Sequence, residues 1–250
     1  TGTRPRATPV MFGMNFQAVS VGQKLKCCGY ADPAATPSAG LASAIRFVDR
    51  SIGQMITALN SLGLTGTTLI IVSAKHGQSA IDVMKRKTFC DSAVIATPIG
   101  ANFSFDIGDD GVLIWLKDNS GTKTADAVAA LNTFSLTTDT GIGEWLSGPL
   151  LPLSYANPAT DSRTPDIIGI ANIGTIYTGG SKLAEHGGFN KDDTDVALLV
   201  ANPALTKSSF NTAVATAQIA PTILKVLGLD PQSLEAVRLE GTRSFLVFKD

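Results

Sequence analysis

The stretch that decides the fold is TTLIIVSAKHGQ, residues 67–78. Residues 69–72 form an unbroken apolar run, which is typical of a strand that is covered on both faces. The polar residues Lys75, His76 and Gln78 follow at once. In an open α/β sheet, ligands bind beyond the carboxyl ends of the strands. The stretch therefore predicts a buried strand with a candidate site at its end.

The segment before this strand has the clearest helical pattern in the chain. Its apolar residues recur at steps of three and four from Leu41 to Leu59, which gives the helix one apolar face. Ser38, after a proline, is a typical start signal, and Gly63 is a typical stop. We therefore predict a helix over residues 38–62.

The rest of the chain alternates strands and helices. A first strand is predicted over residues 10–16, and the order strand, helix, strand favours a mostly parallel sheet with helices on both faces. The other predicted elements are a hairpin over residues 103–116, helices over 124–134 and 221–227, and strands over 166–171, 175–178 and 196–200. We expect a single α/β domain over residues 1–250, with the hairpin inside an irregular insert at about 98–160.

Composition limits the classes of partner. The chain is 44% hydrophobic and 16% charged, so it can form a sizeable core. Its net charge of −1 gives no basic patch for nucleic acid. No apolar run approaches the roughly 20 residues that span a bilayer. These properties favour a globular protein and give no electrostatic argument for nucleic acid or an anionic membrane as a partner.

The cysteines leave the redox compartment open. Cys27 and Cys28 are adjacent and Cys90 is distant, without a metal-ligand spacing. One disulfide with an odd thiol and three free thiols both remain possible. The low charge and the glycosylation triplet that begins at Asn102 favour a secreted or extracellular protein.

The chain contains two histidines, His76 and His186, and each is followed by glycine. Glycine lets the backbone turn sharply or approach another group closely. An imidazole in such a loop is either a structural side chain that is bonded to carbonyls or part of a site. Because both histidines share the same local pattern, we favour a site in which both take part.

Four segments together resemble the alkaline phosphatase superfamily, in particular its type I phosphodiesterase and nucleotide pyrophosphatase branch. TTLIIVSAKHGQ is similar to a strand that ends there in Asp-His-Gly, in which both the aspartate and the histidine bind zinc. The other three resemble the preceding helix, the later His-Gly loop with its next strand, and the closing helix: PSAGLASAIRFVDRSIGQMITAL (37–59), AEHGGF with DVALLVANP (184–203), and QIAPTILKVLGLDP (218–231). Their order is that of the family, which implies an alkaline-phosphatase-like α/β fold.

The resemblance also implies that part of the fold is absent from this chain. In the family, the catalytic threonine or serine and its partner aspartate lie on an early strand, upstream of the segment that residues 10–16 match. We therefore expect the chain to be a C-terminal portion that lacks the N-terminal part. An N-terminal fragment, or a second copy of the chain, is the expected partner.

The metal ligands of the family are substituted here. Lys75 stands where the family has a zinc-binding aspartate, and a protonated lysine cannot bind a metal. The family's Asp-x-x-x-His pair corresponds to GMNFQAVSVGQK, residues 13–24, which offers Asn15 and Val19, or Gln17 and Ser20. Of the expected protein ligands, His76 and His186 remain.

These two histidines are the candidate metal ligands. They can hold zinc only with further ligands, for which Glu185, Asp192 and Asp193 are the nearest candidates in sequence. Zinc is therefore possible, but a full two-zinc site is not expected.

Lysine can also serve phosphate chemistry without a metal. An ammonium group neutralises phosphate oxygens as zinc does, although more weakly. We therefore predict Lys75, His76 and His186 as catalytic residues. The predicted anion-binding residues are Asn15, Gln17, Gln78 and Arg163, the last because RTPD (163–166) resembles an Arg-x-Pro-Asp element of the family. The alternative is that Lys75 faces solvent on a degenerate loop.

The resemblance implies a phosphoester or phosphodiester hydrolase-like protein that acts on a phosphate-containing small molecule and needs the N-terminal segment for its nucleophile. Two alternatives remain. One is a pseudoenzyme that binds an anionic or nucleotide-like ligand, and the other is a storage or structural protein on the same scaffold. The sequence leaves the substrate and the oligomeric state open.

Overall fold

The computed structural model describes residues 8–90, 92–153 and 155–245. Within these residues, helices α1 to α7 span Ala18–Lys24, Ala39–Ser61, Thr97–Ile99, Gly121–Ser135, Lys191–Thr194, Ile219–Val226 and Glu235–Glu240. Strands β1 to β8 span Ile70–Ser73, Lys87–Phe89, Phe103–Gly108, Val112–Leu116, Ile142–Ser147, Ile167–Ala171, Thr175–Tyr177 and Leu198–Ala201. Short 3-10 turns and one π turn connect several of them.

Helix α2 forms where the apolar pattern predicts it. The Ser38 hydroxyl accepts a hydrogen bond from the Leu41 N–H at 3.2 Å, which satisfies one of the free donors in the first turn. Gly63 has φ +68°, a conformation that glycine adopts without strain, just after the helix ends. None of the helices in the described ranges is long and apolar enough to cross a membrane.

The chain divides into two compact units. The histidine unit comprises Gly13–Ser51 and His76–Asp195, and the strand-pair unit comprises the remaining described residues. In the strand-pair unit, β1 and β8 pair antiparallel, with Ile70 opposite Ala201, and α6 and α7 follow in the chain. The single domain that the sequence predicts stays a prediction.

A four-stranded sheet forms the centre of the histidine unit, in the order β3-β4-β6-β5. Along β4, Val112, Ile114 and Leu116 are buried and alternate with partly exposed residues. These side chains share the core with Ala127 and Leu131 of α4. Alternating burial is typical of an antiparallel sheet that has one face on the core. The predicted hairpin over residues 103–116 and the predicted helix over 124–134 thus contribute to one core.

The α/β class is confirmed, but the pairing is mostly antiparallel rather than mostly parallel. In the described sheets, β2 and β7 pair parallel, and the other pairs run antiparallel. The tight turn between β3 and β4, which the sequence did predict, requires this direction, because parallel neighbours need a long crossover.

The strand predicted over residues 10–16 is wrong. No described residue of this segment is in a strand, and Val10, Met11 and Phe12 are 78%, 67% and 63% exposed. A strand is stabilised by hydrogen bonds to a neighbouring strand. An apolar pattern alone does not show whether a neighbouring strand is present, and no described strand pairs with residues 10–16.

Candidate functional site

The loop that carries His76 is fixed by its glycine. The Gly77 N–H donates to the Asp193 carbonyl at 2.6 Å. A Cβ atom on Gly77 would lie 2.0 Å from the Asp192 carbonyl oxygen, which no side chain can tolerate. The glycine after His76 therefore permits close backbone contact with α5 at residues 192–193.

A backbone bridge brings the two histidines together. The Ser79 N–H donates to the Glu185 carbonyl at 2.9 Å, and the Glu185 N–H donates to the Ser79 carbonyl at 2.7 Å. The ring centroids of His76 and His186 lie 4.0 Å apart, with planes inclined by 35°. The expected convergence of these two side chains is thus found within the histidine unit.

One nitrogen of His76 has a defined role. Its Nδ1 lies 2.7 Å from the Gly77 carbonyl oxygen. Because a carbonyl can only accept, Nδ1 is the donor in this bond, so a proton-free nitrogen of this ring can only be Nε2. Nε2 of His76 is therefore the atom that can accept a proton or bind a ligand.

His186 is held in its neutral form at neutral pH. Burial is the largest cause that lowers the pKa of its imidazole; the positive charge of Lys24 lowers it further, as does the His76 ring when that ring is protonated. The nearby Glu185 carboxylate acts in the opposite direction but does not outweigh them. At pH 7 the His186 ring is therefore suited to exchange a proton or to act as a neutral donor and acceptor.

A buried carboxylate stands beside this ring. Burial by itself raises the pKa of Glu185, but hydrogen bonds from Lys182 and Lys24 outweigh it and lower the pKa. Lys24 Nζ lies 3.0 Å from Glu185 Oε2, and Lys182 binds Oε1. The Glu185 side chain is 2% exposed, so both of its oxygens are occupied by lysines rather than open to a ligand.

Asp193 is the second buried acid of the cluster. Its Oδ1 accepts from the Gly187 N–H at 3.1 Å, and Oδ2 is buried without a hydrogen-bond partner within the described residues. Burial raises the pKa of Asp193, and this effect exceeds the lowering by backbone N–H groups and by His76. Asp193 is a candidate further metal ligand by its position in the sequence, but the local sequence pattern does not indicate its burial.

Asp110 is a residue that sequence reasoning missed. It is 1% exposed, and neither carboxylate oxygen has a hydrogen-bond partner in the described ranges. A Cβ atom on Gly188 would lie 2.6 Å from the Asp110 carbonyl oxygen, so the hairpin turn packs closely against the His186 loop. In the sequence, Asp110 lies between two glycines in the turn of the predicted hairpin, a position where aspartate is common, so nothing there indicated its burial.

The predicted anion-binding residues are not joined to the histidines by described contacts. Gln78 is buried, and its amide donates to the Ser20 carbonyl at 3.3 Å and to Gln23. Arg163 binds Asp161 in its own turn. Asn15 and Gln17 are exposed. Their roles, and those of His76 and His186, stay predictions.

The metal ligands implied by the family do not fit here. Lys75 directly precedes His76 and is exposed. Among the residues that the structure describes, no three side chains of His, Cys, Asp or Glu form a group that could hold a metal ion. Structural and catalytic zinc sites use at least three protein ligands. The described residues therefore do not complete a zinc site.

The family model for type I phosphodiesterase / nucleotide pyrophosphatase matches residues 20–195. The chain belongs to this family. The matched range contains both histidines, Lys75 and the Ser79–Glu185 bridge, so the candidate site lies within the phosphodiesterase-like region. A search of curated proteins found no match.

Solved structures support the same fold. Human ectonucleotide pyrophosphatase/phosphodiesterase 5 matches with a TM-score of 0.59 at 17% identity, over 77% of this chain and 49% of that one. The wild-type alkaline phosphatase PafA matches with a TM-score of 0.53 at 18% identity, over 77% of this chain and 41% of that one. This phosphodiesterase-family chain therefore spans about half the length of the solved structures that it resembles.

Proposed function

We propose that the protein is a phosphoester or phosphodiester hydrolase-like protein, and that the phosphoryl group binds at the His76–His186 pair. The observation that carries this proposal is the 4.0 Å separation of the two ring centroids within the matched family region. Two isolated imidazoles from distant loops meet there because backbone hydrogen bonds join those loops.

The two rings offer proton transfer. His76 presents Nε2 as an acceptor, and His186 is neutral at pH 7 because its pKa is lowered. A positioned imidazole that accepts or donates a proton in the transition state contributes about 10²- to 10⁴-fold to a rate. The pair can thus bind phosphoryl oxygens and move protons on the attacking or leaving group.

The nucleophile is proposed to come from an N-terminal segment or a second copy of the chain. In the described contacts, neither imidazole is hydrogen-bonded to a serine or threonine hydroxyl. The chain also spans 49% of the human relative. Native mass spectrometry of the protein as isolated from its source tests this: an additional bound polypeptide or a dimer supports it, and an active monomer of 26.0 kDa contradicts it.

Hydrolysis of bis(4-nitrophenyl) phosphate and 4-nitrophenyl phosphate tests the catalytic role. His76→Gln and His186→Gln keep a hydrogen-bonding side chain but remove the titratable ring. We expect each to lower kcat/KM by about 10²-fold or more. Lys123→Gln, at an exposed position on α4, is the matched control and should retain activity. Histidine variants with parental activity would refute the proposal.

A second candidate is a pseudoenzyme that binds an anionic or nucleotide-like ligand without turnover. The observation that favours it is Lys75, a cation beside His76 where the family resemblance predicts a carboxylate. Thermal-shift titrations with phosphate, sulfate and a nucleoside monophosphate distinguish it from the hydrolase. A ligand-dependent shift without hydrolysis supports the pseudoenzyme. Neither a shift nor hydrolysis supports a storage or structural role.

Secretion stays a proposal. The name of the human relative describes an ectoenzyme, which supports an extracellular location for this chain. The Asn102 amide, however, donates to the Asp118 carbonyl at 3.0 Å, and its Oδ1 accepts from the Asp118 N–H at 2.9 Å. A glycan at Asn102 would replace one of the two hydrogens of this bonded amide, so secretion is tested by fractionation of the source culture rather than by glycosylation.

A further inference from the structure

Cys27 and Cys28 lie shortly after α1 in the histidine unit, and their sulfur atoms are in contact. The two Sγ atoms lie 2.8 Å apart. Cys27 is exposed, Cys28 is partly exposed, and neither is in a disulfide. Two free thiols therefore stand in contact at a position that small reagents can reach.

The convergence has a structural cause. The Cys28 N–H donates to the Leu25 carbonyl at 2.9 Å, which closes a turn over the two cysteines. The Gly29 N–H then returns to the Gly22 carbonyl of α1 at 2.8 Å. On the α2 side, a Cβ atom on Gly40 would lie 2.5 Å from Cys28 Sγ. The Cys28 sulfur is thus held against Gly40.

We propose that Cys27 and Cys28 form a redox-active vicinal dithiol, which a low-molecular-weight disulfide such as oxidised glutathione closes to an intramolecular disulfide. A Cys27 thiolate attacks one glutathione sulfur, the glutathione disulfide bond breaks, and one glutathione thiolate leaves. The Cys28 thiolate then attacks Cys27 Sγ and releases the second glutathione. In total the protein loses two hydrogen atoms, and one glutathione disulfide becomes two thiols.

The order of attack follows from exposure and hydrogen bonding. Cys27 is the more exposed thiol. The pKa of Cys28 is raised above its ordinary value, and the hydrogen bond with Cys27 is the largest cause. Cys28 therefore keeps its proton to a higher pH than an ordinary cysteine does. Cys27 is therefore the attacking thiol, and Cys28 is the resolving thiol.

The closed form is easily reversed. The peptide bond between Cys27 and Cys28 is trans. Adjacent Cα atoms across a trans peptide are about 3.8 Å apart, whereas disulfides usually join Cα atoms about 4.4–6.8 Å apart. A bond outside this range is more readily reduced. The pair also encloses no chain loop, so it adds little to stability and acts as a modification site rather than a staple.

Peptide mapping tests the proposal on the native chain. Trypsin releases residues 27–46, which contain both cysteines and no third one. After incubation with oxidised glutathione and alkylation with iodoacetamide, we expect this peptide to carry no alkyl group and to be lighter by two hydrogens. Treatment with dithiothreitol before alkylation should restore two alkyl groups.

The controls separate an internal disulfide from ordinary thiol reactivity. Cys28→Ser should trap glutathione on Cys27 as a stable mixed disulfide, because the resolving thiol is gone. The Cys90 peptide reports whether the oxidant was active, since Cys90 is also an exposed thiol. Two alkyl groups on peptide 27–46 while Cys90 is glutathionylated, or glutathione retained on both cysteines, would overturn the proposal.

Discussion

The imidazole ring of His76 lies against that of His186, with 4.0 Å between the ring centroids. Backbone contacts hold this pair in place: the Ser79–Glu185 bridge and the bond from the Gly77 N–H to the Asp193 carbonyl. Because neither contact uses an imidazole atom, replacing one ring leaves both backbone contacts available. Side-chain substitutions at these two positions therefore test chemistry rather than folding.

The charge of Lys24 sets part of the His186 pKa. We expect Lys24→Met to raise the pKa of His186, because it removes a nearby positive charge. Lys182→Met is the matched control, because it removes the other lysine that binds Glu185. Lys182 is not among the causes of the His186 pKa shift. NMR titration of the imidazole signals measures both. Equal shifts in the two variants would contradict the assignment.

Lys75 is predicted to act as an anion contact. Lys75→Asp should weaken phosphate binding by roughly tenfold or more, because each unit charge near an anion contributes about 1 kcal/mol in water. It should also increase zinc uptake, since a carboxylate replaces an ammonium beside His76. Calorimetric titration with phosphate and elemental analysis of zinc are the measurements.

Lys207→Asp is the control for the preceding experiment. It makes the same charge change at another exposed position. Weakening of equal size in both variants would show an effect of net charge alone. Unchanged phosphate binding in Lys75→Asp would mean that Lys75 is a surface residue on an inherited loop.

Close backbone contact at Gly77 predicts a large loss of stability on substitution. Gly77→Ala should lower the free energy of unfolding by about 3 kcal/mol, because its Cβ would overlap the Asp192 carbonyl. Gly53→Ala, in α2 with no atom within 4 Å of the added Cβ, should raise it by about 0.5–1 kcal/mol. Urea denaturation compares the two. A Gly77→Ala protein as stable as the parent would show that this contact is not tight.

The turn before β6 contains a carboxylate, Asp161, that stays ionised at low pH because its pKa is lowered. Hydrogen bonds from the Arg163 side chain, and then from its backbone N–H, lower the pKa of Asp161 from 3.8 to about 2. Because the folded pKa is depressed, the stabilisation is complete above pH 3.8 and is lost as the pH falls towards about 2. Carboxyl NMR titration should show this, and stability should decrease in the same window.

Arg163→Gln tests the cause of that shift. The pKa of Asp161 should rise towards 3.8 but stay below it, because the backbone N–H at position 163 still donates at 3.0 Å. An unchanged value in the variant would assign the shift to the backbone alone. Loss of phosphate binding in the same variant would instead support the predicted role of Arg163 as an anion contact.

Several elements were predictable because their signals are local. The α2 helix follows from apolar spacing, Ser38 and Gly63, all within a single segment. The β3–β4 hairpin follows from two alternating segments around a glycine-rich turn. By contrast, the direction of strand pairing depends on which distant segment lies alongside a strand. The predictions of a mostly parallel sheet and of a strand at residues 10–16 were wrong because local sequence does not contain this information.

The sequence by itself determined the two His-Gly loops, the lysine beside His76 and the family resemblance, because each is a property of residue identity and order. Only the tertiary structure decided that the two imidazole rings are in contact and that two lysines form ion pairs with Glu185. It also decided that Asp193 and Asp110 are buried. Burial and the approach of distant charges set pKa values and available lone pairs. These quantities arise from contacts between segments far apart in the chain, which local pattern does not encode.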